Sequence, residues 1–151
     1  MESLGWDIAE TAHALRRAFD RAAAELGVTR SQWRVLGRLT RTPGLRQVEL
    51  ADQMDIEPIT LCRIVDRLEE AKLLERQRDP ADRRAWRLYL TEAATPLCEK
   101  LQIIADRLSG EVFSNLTASQ LATFKAALGI IRANVDALDQ ISPPKGVKAI
   151  A

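Results

Sequence analysis

From Ile8 the apolar positions Ala12, Leu15, Phe19, Ala22 and Leu26 follow at alternate steps of four and three, which gathers them on one stripe of an α-helix. The spacing predicts an amphipathic helix over about 4–27. The same steps recur in Leu97, Leu101, Ile104 and Leu108, and at full heptad quality in Leu121, Phe124, Leu128, Ile131, Val135 and Leu138. Two further long helices are expected, over about 92–114 and 117–141. Thr117 with Gln120 forms a capping-box pattern between them, Gly110 falls late in the first, and Ser142-Pro143-Pro144 stops the second. Residues 143–151 read as a flexible tail. Pro96 falls far enough into its helix to predict a lost hydrogen bond and a kink.

The middle of the chain is denser. Thr29 with Gln32 is a second capping box, opening a helix whose inner face holds Trp33, Leu36 and Leu39 and which ends at Thr42-Pro43-Gly44. A short helix follows with Leu45, Val48, Leu50, Ala51 and Met54 on its apolar side. After Asp55-Ile56, Pro58 suits the first position of a new helix. That helix is expected to bury Leu61, Ile64, Val65 and Leu68 and to leave Thr60, Arg63 and Arg67 outward. Two helices joined so tightly form a helix-turn-helix candidate. Next, Leu73 to Arg78 and Ala85 to Leu90 alternate as strands around the polar stretch Asp79-Pro80-Ala81-Asp82-Arg83-Arg84. The fold class is therefore mainly α with a small β-hairpin, a winged helix-turn-helix flanked by long dimerisation helices. Residues 1–142 form one winged-helix domain, with 29–91 as its middle part.

Three long amphipathic helices carry more apolar length than that middle can cover, which favours a homodimer; a monomeric bundle closed on itself is the alternative. At 151 residues and 46% hydrophobic, the chain can bury a core. Its 22 basic and 21 acidic residues nearly cancel, so nucleic-acid binding must rest on local charge. The two cysteines, Cys62 and Cys98, and the lack of a charged-then-apolar leader point to a reducing, cytoplasmic compartment. No apolar run approaches the roughly 20 residues of a membrane span, and one histidine with two distant cysteines makes no usual zinc cluster. No cofactor is expected. Nor is catalysis: His13 has no nucleophile near it in sequence, and no glycine-rich phosphate loop occurs.

Between Val28 and Val48 stand Arg30, Arg34, Arg38, Arg41 and Arg46 with no acidic residue. This is a solvated face by itself, but beside a helix-turn-helix it is suited to hold phosphates of double-stranded DNA while the next helix reads bases. Arg63 is the candidate for guanine O6 and N7, with Thr60 as companion, unless it pairs with Asp66 or Glu69. Arg83 and Arg84 at the hairpin tip suit a narrow minor groove, with Asp82 holding one of them in place. A helical protein-interaction module without DNA binding is the competing class; steep salt dependence would distinguish DNA binding. Cys62, beside Arg63, is either a redox-responsive thiol or a small core filler.

The stretch Asp55-Ile56-Glu57 through Leu73-Leu74-Glu75-Arg76, with Asp82-Arg83-Arg84-Ala85 and Leu88-Tyr89-Leu90-Thr91-Glu92, resembles the recognition helix, wing and following helix start of MarR-family transcription regulators. Leu4-Gly5-Trp6-Asp7 and Ser31-Gln32-Trp33 are similar to the SlyA-like branch. The resemblance implies a homodimer on a pseudo-palindromic operator, with Thr60 and Arg63 facing the major groove and Arg83 or Arg84 the minor groove. It also implies an effector pocket at His13, Arg16, Ser31 and Trp33, chemistry that suits an aromatic carboxylate; Trp33 as plain core and His13 as a surface residue are the alternatives. Asp55 and Lys72 stand where the family usually carries glycine, and Pro58-Ile59 replaces its usual polar start to the recognition helix.

Overall fold

A computed structural model describes residues 3–141. The chain divides into two compact units, one running to Ser109 and the other beginning at Gly110. In the first unit, α1 (Leu4–Ala24) is capped by Ser3 and ends three residues before the expected Gly27, which takes a positive φ of 71° in the turn that follows. Then come α2 (Arg30–Arg41), α3 (Gln47–Met54) and α4 (Pro58–Glu70). The Thr29 capping box forms as its sequence predicts: Gln32 N–H donates to Thr29 Oγ1 at 3.3 Å, and Thr29 N–H to Gln32 Oε1 at 3.0 Å.

The antiparallel hairpin β1 (Leu74–Arg78) and β2 (Trp86–Leu90) runs in register from Leu74 opposite Leu90 to Arg78 opposite Trp86. A third extended segment, which the sequence pattern did not reveal, joins β2: Gly44 N–H donates to Leu88 O at 2.9 Å and Leu88 N–H to Leu45 O at 3.0 Å. Val35, Leu36 and Leu39 of α2, Leu50, Ala51 and Met54 of α3, Leu61, Val65 and Leu68 of α4, and Leu74 and Leu88 of the hairpin form one core. Val48 departs from its expected inward place and is 61% exposed, because it lies on the outer side of the short α3 while Leu50, Ala51 and Met54 take the inner side.

After the hairpin, a single 3₁₀ turn (Glu92–Ala94) precedes α5 (Thr95–Val112), so the expected continuous helix over 92–114 is broken at its start. Pro96 is consequently the second residue of α5. There its missing N–H removes no intrahelical bond, and the expected loss and kink do not arise. The second unit contains α6 (Ala118–Ile141), opened by the Thr117–Gln120 capping box with bonds of 2.9 and 3.2 Å. Of its heptad series, Leu121 and Leu128 are half-buried, while Phe124, Ile131, Val135 and Leu138 are exposed. The stop at Ser142-Pro143-Pro144 and the tail at 143–151 lie outside the described residues.

The turn of the helix-turn-helix and the exit from its second helix both depend on left-handed residues. Asp55 (φ 52°) lets Ile56 N–H reach Ala51 O at 3.1 Å, and Lys72 (φ 59°) lets Leu73 N–H reach Leu68 O at 2.9 Å. These six-to-one bonds satisfy carbonyls at the ends of α3 and α4, in the arrangement that glycine favours. For a side chain with a Cβ that conformation costs about 1–2 kcal/mol. Lys72→Gly should therefore stabilise the protein by about 0.5–1 kcal/mol, since the relief exceeds the entropy that glycine adds to the unfolded chain. Urea unfolding of the variant checks this; a lowered midpoint would contradict it.

Candidate nucleic-acid interface

The outward side of α4 is prepared by what its inward side buries. With Leu61, Val65 and Leu68 in the core, Thr60, Arg63, Asp66 and Arg67 are left exposed at helical spacing. Asp66 and Glu69 do not pair with Arg63. Arg76 of β1 takes both, with Nη2 2.5 Å from Asp66 Oδ1 and Nη1 2.6 Å from Glu69 Oε2. Its Nε donates to Gln47 Oε1 of α3 at 3.1 Å, and Nη2 also reaches Cys62 O at 3.4 Å and Sγ at 3.7 Å. One half-buried guanidinium thus ties the wing strand to α3 and α4. Arg63 and Arg67 make no ion pair among the described residues. Arg76 was missed in the sequence because its partners are brought to it only by the turn at Lys72.

The hairpin tip has its own anchor, also unforeseen. Asp79 is 2% exposed, and its carboxylate receives Ala81 N–H at 2.8 Å, Arg46 Nε at 2.7 Å and Arg87 Nε at 2.9 Å. The Ala81 amide first, and then Arg46 and Arg87, hold the Asp79 carboxyl below its ordinary range despite burial. Asp82 acts differently from expectation: it accepts the backbone N–H of Arg84 at 2.9 Å and grips neither arginine side chain. An Asx-type turn of this kind shapes the backbone and leaves Arg83 and Arg84 exposed. Arg78 donates to Arg83 O at 2.8 Å and lies 3.9 Å over the Trp86 ring, which braces the tip from below.

The arginine ridge is largely engaged within the fold. Arg34 donates to Met54 O at 3.0 Å and Arg38 to Gln53 O at 3.4 Å, placing cations on the carbonyl end of α3. Arg30 pairs with Asp20, donating from Nε at 2.6 Å, and Arg46 is held by Asp79. Arg34 is pushed below the ordinary arginine value by burial and then by the charges of Arg38, Arg16 and Arg30.

The four effector candidates are only partly brought together. Trp33 donates from Nε1 to Asp20 Oδ1 at 2.9 Å, and its ring meets Phe19 at 4.5 Å between centroids. It also lines an open groove of about 650 Å³ with Phe19, Leu36, Arg41, Tyr89 and Cys98. Ser31 is half-buried and His13 and Arg16 are exposed on α1; none of the three lines that groove. Among the described residues no cluster of His, Cys, Asp and Glu is arranged to hold a metal, and no helix is long and apolar enough to cross a membrane.

A family model described as MarR family matches residues 26–85. A MarR transcriptional regulator from Methanosarcina mazei Go1 is similar with a TM-score of 0.79 at 27% identity, over 89% of this chain and 97% of that one. The transcriptional regulator PA3341 is similar at 32% identity with a TM-score of 0.80, over 89% of this chain and 98% of that one. A cysteine-to-serine mutant of MarR from E. coli, complexed with operator DNA, gives 0.71 at 28% identity, over 85% of this chain and 92% of that one.

Asp79 supplies a pH test of the wing. A carboxyl whose folded pKa is depressed contributes stability that is full above the unfolded value near 3.8 and is lost as pH falls through the folded one. Asp79→Asn should lower Tm at pH 7, and the gap to wild type should close progressively below pH 3.8. A gap unchanged between pH 7 and about pH 2.5 would show that the ionised carboxylate is not what holds the tip.

Proposed function

The chain belongs to the MarR family of transcription regulators, and from that premise we propose that it binds double-stranded DNA as a homodimer on a pseudo-palindromic operator. It is a regulator and not an enzyme. In this reading α4 enters the major groove with Thr60, Arg63 and Arg67 outward, and the hairpin carries Arg83 and Arg84 to the adjacent minor groove. The observation that carries it is the diversion of Asp66 and Glu69 to Arg76, which leaves Arg63 with both ends of its fork available for guanine O6 and N7. A relative of this fold has been seen with operator DNA.

The homodimer reading is supported by the exposed heptad stripe of α6, where Phe124, Ile131, Val135 and Leu138 present apolar surface that a second copy would cover. Residues 1–142 then serve as one functional winged-helix domain with its dimerisation helices. We further infer release by a small aromatic carboxylate. Trp33 supplies an aromatic wall to an apolar groove, and Arg16 adds its charge to the cationic cluster around Arg34; His13 and Ser31 complete the proposed set. A SlyA-like effector response and a cytoplasmic location are parts of the same proposal.

The two kinds of arginine should fail differently on DNA selected from a random duplex library. Arg63→Ala should cost about 1–3 kcal/mol on the selected duplex and relax preference at one base pair in each half-site. Arg84→Ala should weaken binding to selected and scrambled duplexes alike and flatten the salt dependence by about one charge per protomer. Wild type should protect two half-sites whose centres lie about one helical turn apart or a multiple of it. Equal losses for both variants on both duplexes would overturn base reading by Arg63, and no loss for either would favour a protein-binding role.

A further inference from the structure

One residue on the outward side of α4 has an exposure that the fold does not explain. Ile59, the second residue of the helix, is 62% exposed and belongs neither to the core nor to the half-buried apolar residues packed against it. Isoleucine is an unfavourable choice for a solvated turn, because β-branching restricts its χ1 and its apolar surface remains in water. It stands four residues before Arg63 and so shares its side of the helix, with Thr60 adjacent. Cores accept such a rigid knob readily; among the described residues the core does not take Ile59 up, and it stands on the side that α4 leaves exposed.

We propose that Ile59 is a specificity-determining residue that packs against the C5-methyl of a thymine beside the guanine read by Arg63. This rests on the DNA-reading role proposed above. In the major groove thymine alone offers a methyl group, while the other bases present donors and acceptors that an isoleucine would strip of water without replacing a hydrogen bond. One helical turn advances about 5.4 Å, between one and two base steps of about 3.4 Å, so the thymine falls within two base pairs of that guanine. The departure of Pro58-Ile59 from a polar helix start thus becomes a difference in what the helix reads: a hydrogen-bonded guanine paired with an apolar thymine contact.

Deoxyuridine tests this, because it removes the methyl group and leaves the pairing edge unchanged. Each thymine within two base pairs of the Arg63-dependent guanine is replaced in turn in one half-site of the selected duplex. Wild type should lose about fourfold in affinity at one of these thymines, the worth of one buried methyl group. Ile59→Ala should lose a similar factor on the thymine duplex and be indifferent to uracil. Alanine is the better helix former at an exposed position, so the variant should fold, and unchanged affinity for a scrambled duplex verifies it. Uracil that is costless at every thymine, or that costs Ile59→Ala as much as wild type, would overturn the inference. Arg63→Ala is measured beside it. Full discrimination between selected and scrambled duplex retained by Arg63→Ala would sink the base-reading role proposed for Arg63, whereas lost discrimination with costless uracil would sink only the role of Ile59.

Discussion

The guanidinium of Arg76 is the contact on which the arrangement of the hairpin against α4 depends. It joins β1 to Asp66 and Glu69 of α4 and to Gln47 of α3, so three elements share one planar donor. Arginine suits this place because its fork presents several fixed donors at once, which an ammonium cannot do. The consequence is electrostatic as well as mechanical. Asp66, one turn from Arg63 and able to compete for its guanidinium, is turned toward the wing and neutralised together with Glu69.

Around that contact the backbone is held in conformations that carry a cost. Asp55 and Lys72 occupy left-handed positions just after α3 and α4, and there carbonyls near the ends of those helices find their six-to-one partners. The tip is held by the opposite device, a buried anion. Asp79 draws Arg46 from the start of α3 and Arg87 from β2 onto one carboxylate, so the hairpin leaves the core at a defined angle, and Asp82 shapes the turn that leaves Arg83 and Arg84 exposed. Rigid support beneath exposed cations is what the proposed minor-groove contact requires.

Much of this was legible in the sequence. The helices follow from three-and-four spacing and capping boxes, and the hairpin from alternation around an Asp-Pro turn, because those signals are local. Thr60, Arg63 and Arg67 were correctly expected to face outward, since the buried stripe of Leu61, Val65 and Leu68 leaves them no other side. What escaped is long-range. Arg76 meets Asp66 across ten residues and Arg46 meets Asp79 across thirty-three, and no spacing rule marks such pairs. Pro96 was misread for a different reason: the 3₁₀ turn at Glu92–Ala94 moves the helix start, a boundary effect that apolar periodicity does not register. The arginine ridge was visible as charge, but its engagement of the carbonyls of Gln53 and Met54 depends on how α2 crosses the end of α3.

The central claim is that Arg76 frees Arg63 by removing carboxylates, and restoring what Arg76 neutralises tests it most directly. The affinity of Arg76→Gln for the selected duplex is compared with that of the triple variant Arg76→Gln, Asp66→Asn, Glu69→Gln, with near-ultraviolet circular dichroism used to verify that the hairpin stays folded. The account predicts a loss of about tenfold or more in the single variant and recovery to within about threefold of wild type in the triple, since the carboxylates and not the missing cation do the harm. A triple variant that folds yet binds as weakly as the single one would contradict it.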